Sequence, residues 1–176
     1  MHAALYLILI AAPFGAFDVL YFHLWKFRLY ERMQSLREEM THLARGLVMP
    51  AIIVLLIIGR PEGRMFWLVA ALFLIDAINS LIDVIVEPGS RAPIGVPPEE
   101  LAVHFVGTTA IGAAWAVFMI AGWPARLLPT ALAPWNGAIP EWLARGAAPA
   151  VCGSFLLFAF EAMLFFRAGA RRRAQA

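Results

Sequence analysis

The sequence predicts an all-α integral membrane protein of five transmembrane helices, the first four forming a pseudo-twofold four-helix bundle of two repeated hairpins. Three observations lead there. Of the 176 residues, 62% are hydrophobic and only 15% charged, against about a quarter charged in a soluble domain. The apolar residues collect in five blocks that approach the ~20 residues a helix needs to cross a bilayer. One ordered set of polar residues also recurs in the first and second pairs of blocks.

The first block, residues 3–24, opens without the positive charge of a signal peptide and so reads as a span. The second, 34–58, is strongly apolar only after Arg45. The third and fourth cover 65–86 and 101–122, and Gly or Ala at 107, 110, 112, 113 and 114 suits close helix packing. The fifth covers 149–168, ahead of a basic tail over 169–176. Between the last two, the outer segment 123–148 carries Trp123, Trp135, Trp142 and several prolines, a mixture suited to the membrane interface. Little remains for any soluble part, so the chain reads as one membrane domain, 1–176. A single cysteine, Cys152, excludes internal disulfides and a thiolate metal site.

Arg and Lys favour cytoplasmic loops. With five spans, ten of the 14 basic residues fall on one side: Lys26, Arg28, Arg32, Arg37, Arg45, Arg91, Arg167, Arg171, Arg172 and Arg173. The expected topology therefore has the N-terminus outside and the C-terminus in the cytoplasm, with a bacterial inner membrane as the expected location.

The repeat covers about 3–61 and about 65–124. Its first copy runs Asp18, Tyr21, Glu38, His42, Gly59, and its second Asp76, Asn79, Glu100, His104, Gly122. Glutamate and histidine are four residues apart in both copies, which places them on one helix face. Ionisable groups inside apolar spans cost several kcal/mol and usually face a bundle interior or a watery cavity. At about 1.5 Å per residue, the set converges in the cytoplasmic half of the bundle, together with Glu161 of the fifth span.

Asp18, Glu38, His42, Asp76, Glu100 and His104 then make a sixfold oxygen and imidazole ligand set. Its design resembles the di-iron carboxylate site of four-helix bundles, built from Glu and Glu-x-x-His pairs. Iron is the favoured metal, with zinc or manganese as alternatives, since no thiolate is present to select copper. Glu161, as a bridge or proton relay, and Tyr21, as a hydrogen-bond donor, are the catalytic candidates. His23, Glu39, Asn79 and Asp83 would orient the ligands. The glutamates also have a structural reading: Ser35 with Glu38 fits a capping box, and Glu99 and Glu100 follow two prolines at a helix start.

The expected function is a metal-dependent oxidoreductase acting on a lipid or other apolar substrate reached through the bilayer, with hydroxylation favoured over hydrolysis. Alternatives are a haem b electron-transfer protein ligated by His42 and His104, a proton or divalent-cation transporter, and an accessory subunit of a membrane complex. A second copy of the chain or another membrane subunit is the open partner. Nothing in the sequence suits nucleic acid, and no glycine-rich phosphate loop is present.

Overall fold

The computed structural model describes residues 1–93, 95–135 and 140–175. Five helices dominate it, each long and apolar enough to cross a membrane. They are α1 (His2–Phe17), α2 (Leu36–Ile58), α3 (Arg64–Ser90), α4 (Pro98–Gly122) and α5 (Glu141–Gln175). Two short strands, β1 (Arg60–Glu62) and β2 (Ala131–Ala133), pair antiparallel with Pro61 opposite Leu132.

The two helices of each expected hairpin are not each other's main packing partners. α1 lies along α4, and α2 lies between α3 and α5, while α1 and α2 barely touch. The expected hairpins therefore open out, and each half of the chain is held by the other. At one end the interfaces meet in an apolar core of Leu5 and Ile8 (α1), Ile53 and Leu56 (α2), Phe66, Val69 and Phe73 (α3), Ala114 and Phe118 (α4) and Leu143 and Ala147 (α5). Phe66 and Phe118 stack there at 5.1 Å between ring centroids. Large apolar side chains such as Ile85, Phe105, Ile120 and Leu156 point outward. Charged residues are buried inside at the opposite end. An apolar exterior around a polar interior is the arrangement lipid favours over water.

The two-stranded ribbon closes the apolar end. Gly63 sits at φ +55° where an added Cβ would run into the backbone of Leu128 and Thr130, so the chain turns there only as glycine. Trp135 donates its indole N–H to the Leu56 carbonyl at 3.2 Å, tying the outer segment to the end of α2. That segment is shorter than expected, because α5 begins at Glu141 rather than near Pro149. Glu141 and Arg145 pair one turn apart at 2.6 Å, and Leu143 and Ala147 are fully buried in the core. Helix α5 likewise continues to Gln175, through most of the expected tail.

The small residues of α4 divide. Ala114 is fully buried against its neighbours, but an added Cβ at Gly107 or Gly112 would meet nothing within 4 Å. Close packing therefore explains the first and not the glycines.

Candidate metal centre

Beyond Phe17 the first helix widens into a π-helical stretch, Asp18–Lys26. In an α-helix, at about 100° per residue, a side chain five places on points about 140° away. The wider π turn returns it to the same face, and Asp18 and His23 come within 3.6 Å (Oδ2 to Nε2). Such local π geometry is rare and concentrates at functional sites. Tyr21 falls off that face. It stacks on Phe17 at 5.2 Å and against Phe22 and Trp25, and makes none of the polar contacts of the cluster.

His23 is fully buried and forms the hub. Its Nε2 lies 3.5 Å from Glu100 and 3.8 Å from Glu38, and its ring packs edge-on against His42 at 4.0 Å. His104 of α4 is 2.9 Å from Asp18 Oδ2 through Nε2, and its Nδ1 is 3.6 Å from Glu87. On α3, Asp83, Glu87 and Arg91 follow at intervals of four and face the same interior. Asp83 accepts from Thr41 Oγ1 at 2.6 Å and stands 3.4 Å from His42. Arg91, with no exposed surface, forms an ion pair with Glu38 at 2.8 Å and donates to Glu100, and its guanidinium lies 4.7 Å from the centre of the Phe27 ring.

Among the described residues, four sets of side chains offer ligand atoms within 4.8 Å of one another. They are Asp18–His23–Glu100–His104, His23–Glu38–His42, His23–Glu39–Glu161 and Glu38–Glu87–Glu100. The last already surrounds the Arg91 guanidinium. The other three have atoms with nothing to bind. Both oxygens of fully buried Glu39 lack a hydrogen-bond partner, as do Glu161 Oε1, His23 Nδ1 and Asp18 Oδ1. Each unpaired buried group costs about 1–3 kcal/mol, more when charged.

Charge sharpens the point. Eight buried carboxylates (Asp18, Glu38, Glu39, Asp76, Asp83, Glu87, Glu100, Glu161) face two guanidiniums, Arg45 and Arg91. With all eight ionised, six negative charges would be left over, and three would remain even with His23, His42 and His104 all protonated; bound cations or protons on some of the carboxyls would remove them. That imbalance, in a site of oxygen and imidazole donors, fits one or two divalent cations.

The expected residues thus separate. Asp18, Glu38, His42, Glu100 and His104 are brought together, joined by Glu161, and by His23 and Glu39 in the middle of the site rather than around it. Asp76 stands apart. It is buried, but its carboxylate is held by Arg45 Nε at 2.9 Å and Nη2 at 3.4 Å, a fixed cation where a metal was expected. Its repeat position beside a histidine is taken by Asp83, which faces His42 as Asp18 faces His104. Asn79 donates to the Thr41 carbonyl at 2.8 Å and ties α3 to α2.

The helix starts fall where expected, with Ser35 before α2 and Glu99 and Glu100 in the first turn of α4 after Pro97 and Pro98, but capping does not account for the buried glutamates. Ser35 makes no side-chain cap bond, and Glu38 turns to Arg91 and Ser90. Of the pair after Pro97 and Pro98, Glu99 is exposed and Glu100 faces inward. In the sequence Glu87 and Arg91 both look like charges ending a span; their places four and eight residues after Asp83, on the same helix face, were the available signal.

A cavity of about 970 Å³ meets the cluster from the side. It runs between α1, α2, α4 and α5, from Tyr6 and Trp142 near the apolar end to Asp18, His42 and Glu161. Comparisons with protein-family models, curated proteins and solved structures return no match.

Proposed function

We propose that the chain is a multi-pass membrane protein whose buried carboxylate–imidazole cluster holds a pair of divalent metal ions, iron in first place, and oxidises an apolar or lipid substrate. The observation that carries this reading is the excess of acid: eight buried carboxylates around two guanidiniums, several with unpaired oxygens, at the end of a large apolar cavity. One ion would sit among Asp18, His23, Glu100 and His104, the other beside Glu39 and Glu161 with His23 within reach of both, and zinc or manganese are chemically admissible occupants. Bound iron would supply oxygen chemistry at a substrate C–H bond. One oxygen atom of dioxygen enters that bond, and the other leaves as water with two electrons and two protons from a separate donor.

The protein's own residues contribute the surroundings. Arg91 neutralises Glu38, Glu87 and Glu100 and spaces them. Glu161, reached from the cavity and with one free oxygen, is placed to hold or pass a proton. The apolar walls exclude water from a reactive centre. In the membrane the N-terminus would lie outside, the cluster in the cytoplasmic half, and the Asp18–His104 and Asp83–His42 pairs would relate the two halves by a pseudo-twofold.

Transport fits less well, because the far end of the bundle is closed by the fully buried Phe66, Phe118, Leu5 and Ile8. Haem ligation by His42 and His104 fits less well too, since both imidazoles face carboxylates. The test is metal analysis of the full chain purified in detergent. About two equivalents of metal per chain are expected, falling below one in His23→Ala, because His23 serves three of the sets. Less than half an equivalent in the wild-type chain would overturn the proposal.

A further inference from the structure

The cavity bears on which substrate reaches the cluster and which end of it arrives first. Its wall includes Ala12, Gly15, Gly107, Gly146 and Gly153 from three helices. Small residues in membrane helices usually let backbones approach closely. Here they do not: an added Cβ at Gly15, Gly107 or Gly153 would find no atom within 4 Å. These glycines keep a slot open. Gly15 and Gly153 are also exposed, so the slot opens sideways toward the bilayer.

The two ends of the slot differ in chemistry. One is marked by Tyr6 and Trp142, whose rings lie 4.9 Å apart, with Trp142 largely exposed. Such aromatics sit at headgroup level. The other end holds the buried Asp18, His42 and Glu161, with an oxygen of Asp18 and one of Glu161 lacking a hydrogen-bond partner. Between Tyr6 and Asp18 lie twelve residues of helix, about 18 Å at ~1.5 Å per residue. A hydrocarbon chain with bonds of about 1.5 Å and angles near 111° advances about 1.25 Å per carbon, so about 14 carbons cover that distance.

We infer that the slot takes one acyl chain of a membrane phospholipid, with the ester and headgroup at the Tyr6–Trp142 end and the distal carbons at the cluster. The inference rests on the metalloenzyme reading for what happens at the cluster, and on the cavity alone for how the chain lies. Charge sets the direction. A phosphate or carboxylate keeps its hydration and headgroup contacts at the Tyr6–Trp142 end, whereas an uncharged methyl terminus enters the apolar slot without that loss. The reacting position is therefore far from the ester, and a free fatty acid is a poorer occupant than an esterified chain.

The experiment uses the full chain in phosphatidylcholine vesicles doped with a phosphatidylcholine whose 16-carbon chain bears a photoreactive diazirine, either at the terminal carbon or beside the ester. The terminal probe is expected to label residues 15–20 or 153–161, and the ester-side probe residues 6–9 or 142–146. Gly153→Leu, which fills the slot, should cut terminal labelling about tenfold with metal content unchanged; Gly15→Leu serves if that variant does not fold. Reversed labelling, labelling insensitive to both substitutions, or stronger labelling by a diazirine sterol or free fatty acid would overturn the inference. Metal is measured on the same samples. Labelling without metal would sink the metalloenzyme reading and leave the acyl slot standing, and metal without labelling would do the opposite.

Discussion

The two ends of the bundle are made from the same five helices and hold together by opposite means. At one end Phe66, Phe73 and Phe118 interlock with Leu5, Ile8 and Ile53. At the other, Asp18, His23, Glu38, Glu39, Glu100 and Glu161 are buried as deeply, around Arg91. In lipid, an apolar side chain gains little by moving from acyl chains to a protein core, so the apolar end depends on shape and van der Waals contact. The polar end depends on every charge finding a partner. Damage to the first should loosen the fold and spare the site, and damage to the second should disturb fold and site together.

The largest effect is expected from Arg91→Ala. It leaves Glu38, Glu87 and Glu100 facing one another without their shared guanidinium, at a cost of about 3–5 kcal/mol. Thermal unfolding in detergent should show a chain that is poorly folded or strongly dependent on added divalent metal. A stable, metal-indifferent Arg91→Ala protein would break the comparison.

Phe66→Ala comes next. It removes a ring stacked on Phe118 and should destabilise by about 3 kcal/mol, with the metal content per folded chain unchanged. Loss of metal in this variant would mean that the two ends are not independent.

Asp76→Asn should have the smallest effect. It weakens the Arg45 pair that crosses from α2 to α3, worth about 1 kcal/mol inside a membrane bundle. Metal content should match wild type, and a halved content would return Asp76 to the ligand set.

How much could be read beforehand differs between these ends. Five blocks of apolar residues made the helices legible, because length and hydropathy are properties of a segment alone. Boundaries were less so: Pro149 looked like a helix start but lies inside α5, whose first turns are held by Leu143 and Ala147 packing into the core. At the polar end, Glu38 with His42 and Glu100 with His104 were legible from a spacing of four. Glu87 and Arg91 were not, since a charge at the end of a span reads as a topology signal until a neighbour turns it into a ligand or a counter-ion.

The residues of the opening repeat mark the division best. The sequence alone determined that this chain has five long apolar helices and that acids and histidines sit within them, because both follow from composition and period. Tertiary structure decided which acid meets which histidine. A widened π turn swings His23 beneath Asp18, α1 packs on α4 and brings Asp18 to His104, and Arg45 claims Asp76 so that Asp83 faces His42. Each of those pairings joins residues far apart in the chain or depends on a turn that local pattern does not encode, and only packing brings them within reach.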